Sequence, residues 1–210
     1  MEPPSILPAY TPDEYLAFER DSESKHEYLD GVIYAMVGAS PEHSTIGVNL
    51  SEIITRQIRS TSCRPFSSAM KIRCLPLPAN LKRKRGLFAY PDFVVVCGEP
   101  VYHDEQRDGL VNPKLIAEVL SPSTEAYDRG EKFLRYRELK SFTDYLLIAQ
   151  QSPRIEHYTK QPDGQWRLTV ETTRTGSLFI ASLNCHLPLA EVYEWVNFPP
   201  AETPANTDPL

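Results

Sequence analysis

Two apolar runs in the middle of the chain each carry a carboxylate where a buried strand should be uniformly hydrophobic. The first is Tyr90-Pro91-Asp92-Phe93-Val94-Val95-Val96, and the second is Pro113-Lys114-Leu115-Ile116-Ala117-Glu118-Val119-Leu120. Short runs of this kind, bounded by proline and turn residues, predict strands at the centre of a sheet. An ionised carboxylate in such a strand is costly: desolvating a merely polar group costs on the order of 2–7 kcal/mol, and a bare charge costs more. Two of them point to a shared cation. Mg²⁺ is the natural one, because it takes oxygen ligands and is usually held by one or two carboxylates together with water and substrate phosphate.

The 210 residues, 41% hydrophobic and 24% charged, fit one compact domain over 1–198, followed by a tail over 199–210 that holds four prolines and little that could pack. No apolar stretch approaches the roughly 18 residues of a membrane helix, and the N-terminal residues lack the basic and apolar regions of a secretory signal, so a cytoplasmic protein with no membrane partner is expected. Cys63, Cys74, Cys97 and Cys185 are scattered and form no CxxC pair, which predicts reduced, packed thiols rather than a zinc or redox motif. A net charge of −6 excludes a protein that coats nucleic acid by bulk electrostatics. It leaves room for local phosphate contact by Lys82-Arg83-Lys84-Arg85, with Lys71 and Arg73 before them; the alternative is a solvated hairpin tip.

The remaining pattern predicts an α/β fold in which a central mixed sheet is flanked by helices. Thr11-Pro12-Asp13-Glu14 opens a short helix ending near Arg20. Strands at 25–29 and 32–37 are joined by Asp30-Gly31, a hairpin dipeptide. Ile46, Leu50, Ile53, Ile54 and Ile58 recur at helical spacing and predict a long amphipathic helix over 41–59. One strand is expected at 66–75, the two acid-bearing strands at 91–97 and 114–120, and a further buried strand at 144–149. Ser121-Pro122-Ser123-Thr124 breaks the second of these and caps a helix over 125–139. Segments 154–159 and 166–172, separated by Pro162-Asp163-Gly164, read as an extra antiparallel hairpin towards the C-terminus, and 190–196 as a last short helix.

The ordered set His26-Glu27-Tyr28-Leu29-Asp30-Gly31, His43 with Asn49-Leu50, Pro91-Asp92, Glu118-Val119-Leu120-Ser121-Pro122-Ser123-Thr124, Asp128 with Lys132 and Tyr136, and Asp144-Tyr145 resembles the PD-(D/E)XK nuclease superfamily. Within it the chain is similar to the endonuclease branch often called the Uma-two type, found widely in cyanobacteria. The resemblance implies a restriction-endonuclease-like core and metal-dependent hydrolysis of DNA phosphodiester bonds, leaving a 5′-phosphate and a 3′-hydroxyl. It makes Asp92 and Glu118 ligands of Mg²⁺, with Mn²⁺ as a substitute and the backbone carbonyl of Val119 as a third ligand. Superfamily enzymes that cut both strands often work as homodimers, which is the implied assembly.

At the position where the superfamily usually has lysine, this chain has Leu120. Asp128, Lys132 and Tyr136 are spaced by four residues and share one helical face, so Lys132 could reach back over the strand end while Asp128 holds it. The alternative is a surface Lys132–Asp128 pair worth a few tenths of a kcal/mol. Glu27 is the implied acid from the N-terminal elements; strand alternation puts it on the face of Lys25 and Leu29, opposite His26 and Tyr28. His43 either faces the cleft from the long helix or only caps and packs. Leu120 also keeps open a nuclease fold without turnover that binds nucleic acid or protein. A small-molecule hydrolase has less support, since no glycine-rich phosphate loop or GxSxG is present.

Overall fold

A computed structural model describes residues 9–76 and 85–198. Its elements run α1 (Pro12–Asp21), β1 (His26–Leu29), β2 (Val32–Ala35), α2 (Pro41–Ile58), β3 (Cys63–Ser67), β4 (Lys71–Cys74), β5 (Leu87–Ala89), β6 (Phe93–Cys97), β7 (Gly109–Leu110) and β8 (Leu115–Leu120). There follow α3 (Glu125–Tyr127), a π-helical turn (Asp128–Lys132), α4 (Phe133–Tyr136), β9 (Asp144–Ala149), β10 (Ile155–Lys160), β11 (Trp166–Glu171), β12 (Ser177–Ile180), β13 (Cys185–Pro188) and α5 (Leu189–Val192).

The main sheet has the order β11-β10-β9-β8-β6-β3, with β8 and β9 parallel and the other neighbours antiparallel. The two acid-bearing runs are adjacent in it. A second sheet, β2-β1-β5-β4-β7, carries the Asp30-Gly31 hairpin, whose turn needs the positive φ of Asp30 (49°) and Gly31 (107°). One face of the main sheet packs on Ile46, Leu50, Ile53, Ile54 and Ile58 of α2 together with the β12–β13 hairpin and α5. The opposite face packs on Tyr136 and Leu139, at and beyond the end of α4, and on Ile72, Leu87 and Ala89 of the second sheet. The two longest helices start where their capping chemistry dictates. In α1 the Thr11 hydroxyl accepts from Glu14 N at 3.2 Å while the Glu14 carboxylate accepts from Thr11 N at 2.7 Å, and in α2 Ser40 Oγ accepts from His43 N at 3.1 Å.

Several expectations need correction. The single strand over 66–75 is two strands, β3 and β4, on different sheets, joined by a turn that hydrogen-bonds Met70 N to Ser67 O. The helix over 125–139 is interrupted by the π turn and closes at Tyr136. Segments 154–172 form a hairpin, but it completes the main sheet, and the separate C-terminal hairpin is β12–β13. The cysteines are not all reduced: the β3–β6 register sets Cys63 opposite Cys97 and the two are disulfide-bonded, while Cys74 and Cys185 are free and buried. In the basic stretch, Lys71 is buried against Asp108 at 2.9 Å, and Arg73 is buried on the carbonyl of Cys74. Arg85 donates to the carbonyls of Ala9 and Tyr10, whereas Lys82, Arg83 and Lys84, like the tail over 199–210, lie outside the described residues.

Asp108 ties the second sheet to α1. Its carboxylate takes hydrogen bonds from Arg20 at 3.0 Å and from Lys71 at 2.9 Å. Arg20 chiefly, with Lys71 and against partial burial, lowers its pKa to about 2. A depressed carboxylate stabilises the fold above its unfolded pKa and loses that contribution as pH falls through the folded value. Asp108→Asn should therefore lower stability at neutral pH by about 1 kcal/mol, after discounting for solvent screening. Urea titrations of parent and variant should converge as pH drops from about 4 to about 2; a constant difference across that range would contradict this role for Asp108.

Candidate active site

The β6–β8 ladder pairs Phe93 with Ala117, so one further step sets Asp92 opposite Glu118 at one end of the sheet. Leu115, Ala117 and Val119 belong to the core on the α2 side, whereas Ile116 and Leu120 belong to the opposite core. Alternation therefore turns Glu118 towards α4. Asp92, at the mouth of its strand, swings the other way: His43 Nε2 of α2 lies 2.8 Å from its Oδ1, and Val119 N donates to its Oδ2 at 2.7 Å. A cleft of about 550 Å³ along α2 reaches Asp92, lined in part by Ala39, His43, Gly47, Ser51 and Ser68.

On the other side Lys132 folds in from the π turn. Its Nζ is 3.3 Å from Glu118 Oε1, 3.1 Å from Glu27 Oε1 and 2.9 Å from Asp128 Oδ1, and all four side chains are buried. Tyr136 donates its hydroxyl to Glu118 Oε1 at 3.1 Å, so the predicted helical face is real and points at the strand end. The π turn lies just where that face must deliver its lysine, and such turns are frequent at functional sites. Glu27 is oriented by Tyr90 N, which donates to its Oε1 at 3.0 Å. Asp128 Oδ1, near Lys132 but off the hydrogen-bond line, is a buried oxygen with no hydrogen-bond partner.

The electrostatics follow from the count of charges. Four carboxylates, those of Glu27, Asp92, Glu118 and Asp128, face Lys132 and His43. Burial pushes the Glu118 carboxyl well above the usual carboxylate range; Lys132 opposes this, and the neighbouring acids reinforce it. Burial also disfavours the Lys132 ammonium, but Glu118, Glu27 and Asp128 outweigh it and hold the lysine pKa well above its ordinary value. Burial opposes the charge on His43 too, and Asp92 reverses the sign, so its pKa rises. All three directions have one origin, a surplus of negative charge in a dry place.

That surplus and the hard oxygen donors fit a divalent cation such as Mg²⁺. Among the described residues no three His, Cys, Asp or Glu side chains form a ready metal cage. The fit is to an ion that takes one or two carboxylates and completes its shell with water and substrate. Of the residues expected at the site, Glu27, Glu118, Asp128 and Lys132 gather on the α4 side of the strand end, and Asp92, Val119 N and His43 meet on the α2 side; Arg85 lies elsewhere, on the N-terminal segment. Tyr90 was not anticipated, because it acts on Glu27 through its backbone N–H, for which a sequence carries no side-chain signal. Asp144, part of the recognised motif set, is at the far end of β9, where it accepts from Thr143 at 2.6 Å and Ser182 at 2.5 Å and lies 2.8 Å from His157 Nε2.

A mixed sheet whose adjacent central strands bring carboxylates to one end, with helices on its flanks, defines a restriction-endonuclease-like fold. The chain belongs to the Uma2 family, described as "Putative restriction endonuclease", whose model matches residues 12–189. It is 36% identical to the uncharacterized protein slr1290 of Synechocystis sp. over 197 residues, which cover 93% of this chain and 97% of that one. It is also 36% identical to the uncharacterized protein sll1609 of the same organism over 159 residues, covering 76% and 85% of the two chains. A crystal structure of a "putative nuclease belonging to DUF820" from Anabaena variabilis superposes with a TM-score of 0.69 at 19% identity, covering 90% of this chain and 99% of that one. This last likeness establishes the fold.

Proposed function

We propose that this chain is a metal-dependent endonuclease that hydrolyses DNA phosphodiester bonds, with Asp92 and Glu118, helped by the carbonyl of Val119, holding Mg²⁺ or Mn²⁺. The observation that carries the proposal is Lys132. The strand position of Leu120 is 4% exposed and packed in the core, and a lysine comes instead from the helix to within 3.3 Å of Glu118. A binding module would have no need to bury an ammonium among three carboxylates, an arrangement that hydrophobic residues of similar volume often match or exceed in stability.

The protein's own groups then have definite tasks. His43 and Val119 N–H fix the two oxygens of Asp92, while Tyr136 and Lys132 fix Glu118. Lys132, kept protonated by its neighbours, donates to the attacking water or to the phosphate and offsets charge that builds there. Glu27 and Asp128 hold the ammonium at that point. The chemistry that a bound Mg²⁺ adds is Lewis-acid polarisation of the phosphate and of the attacking water.

The test is cleavage of supercoiled plasmid and single-stranded DNA by the purified protein in Mg²⁺ or Mn²⁺. Cleavage should vanish on chelation, return with added metal, be absent from Asp92→Ala, and leave 5′-phosphate ends. A folded parent that binds the metal and cuts neither substrate would sink the proposal in favour of a binding module.

A further inference from the structure

Among the described residues the main sheet ends in two open edges, and they differ. The β3 edge contains Pro65, which cannot donate to a further ladder. The β11 edge is six residues long, Trp166-Arg167-Leu168-Thr169-Val170-Glu171, with no proline or glycine. Leu168 and Val170 are 45% and 39% exposed. Arg167 is exposed and pairs with no acid among the described residues. A long, unprotected, partly apolar edge strand is a template for another strand.

Hydrogen-bond parity narrows what that strand can be. At the hairpin end Gln161 N donates to Gln165 O at 2.7 Å, and narrow pairs alternate along an antiparallel ladder. Residues 167, 169 and 171 therefore bond inward to β10, and Trp166, Leu168 and Val170 present their N–H and C=O groups outward. A second β11, antiparallel about a two-fold axis, can bond through these groups with Thr169 opposite itself. This register sets Leu168 opposite Val170 of the other copy in hydrogen-bonded pairs and Arg167 opposite Glu171 in non-hydrogen-bonded pairs, where side chains approach most closely. Glu171 is already oriented, because its Oε1 accepts from Thr172 N at 2.9 Å and Thr173 N at 2.8 Å. The edge is thus complementary to itself in hydrogen bonding and charge.

We propose that two copies of this chain pair through β11 in this register, forming one continuous sheet. The strand directions give a consequence. β11 runs parallel to β9 and hence to β8, because β10 is antiparallel to both and β8 and β9 are parallel. The two-fold axis reverses β8 in the second copy, so the two Asp92–Glu118 sites lie at opposite ends of the joint sheet and cannot meet across one duplex. This consequence rests on the proposed function, and the pairing itself does not: such a dimer nicks one strand at a time and does not make concerted double-strand cuts.

Sedimentation and light scattering of the full chain at tens of micromolar should give a dimer. Arg167→Glu, an exposed change whose folding circular dichroism would verify, should weaken it at least tenfold, and Arg167→Glu combined with Glu171→Arg should restore it. Thr169→Cys should form a disulfide-linked dimer under mild oxidation, since the facing Cα atoms of a non-hydrogen-bonded pair are about 4.5 Å apart; Leu168→Cys should not. A monomeric parent, or a dimer indifferent to Arg167→Glu or linked by Leu168→Cys in preference to Thr169→Cys, would overturn the pairing whatever the protein cleaves.

Discussion

Glu118→Gln should lower cleavage by roughly 10²–10³-fold or more, the cost of removing one preorganised electrostatic group from a site where charge develops, while the fold melts no earlier than the parent's. Both halves of this expectation come from the same environment. The carboxylate is buried beside Asp92, Asp128 and Glu27, and its pKa is pushed well above the ordinary range, so in its ionised form it opposes folding. For an acid with a raised folded pKa, stability is greatest below the unfolded pKa and declines as pH rises towards the folded one. The amide keeps an oxygen for the Tyr136 hydroxyl and for Lys132 and removes the repulsion. Lys132 still has Glu27 and Asp128 within reach, so no orphaned cation results. The melting temperature of metal-free Glu118→Gln should therefore equal or exceed the parent's, with the gap widening from mildly acidic to mildly alkaline pH. Divalent metal should raise the parent's melting temperature more than the variant's. A variant that cuts DNA at the parent's rate would remove Glu118 from the site.

How much of this arrangement the sequence discloses depends on whether the relevant contact is local. Asp92 and Glu118 are conspicuous because a charge in an apolar run has no bland explanation, and the ladder then sets them opposite each other. Lys132 is legible through its spacing from Asp128 and Tyr136, although the π turn that delivers it leaves no mark in composition. Glu27 is half legible: alternation fixes its face, but only the packing of the second sheet on the first shows that this face looks inward. Contacts between distant segments are the ones that escape. Cys63 and Cys97 are apart in sequence and meet because β3 pairs with β6. Lys71 and Arg73 look like part of an exposed basic patch until Asp108 and backbone carbonyls claim them. Arg135, fully buried, is satisfied by Asp30 from the hairpin turn and by Glu131 at 2.7 Å, and only the second partner is local. Burial of a cation needs partners from elsewhere in the chain, and pattern reading has no access to them.

Lys132→Met carries the largest expected cost in stability. Methionine fills a similar space, so the loss is electrostatic: Glu27, Glu118 and Asp128 are left facing one another with no ammonium between them. Removing one partner of a buried ion pair costs about 3–5 kcal/mol, because the remaining charge is uncompensated. Here three acids share the deficit, and each can relieve it by taking up a proton. The variant should therefore be destabilised most at alkaline pH and recover as pH falls, the reverse of the acid-induced loss expected at Asp108. It should also lose cleavage, since the group that offsets charge at the phosphate is gone. Combining Lys132→Met with Glu118→Gln separates the two effects. One of the three repelling charges is then neutral, so the double variant should be more stable than Lys132→Met alone, by an interaction of about 1–3 kcal/mol in a double-mutant cycle, yet remain inactive. Additive stabilities would mean that Lys132 and Glu118 do not share one electrostatic site in solution. An active double variant would mean that they share one only as scaffold, with the chemistry elsewhere.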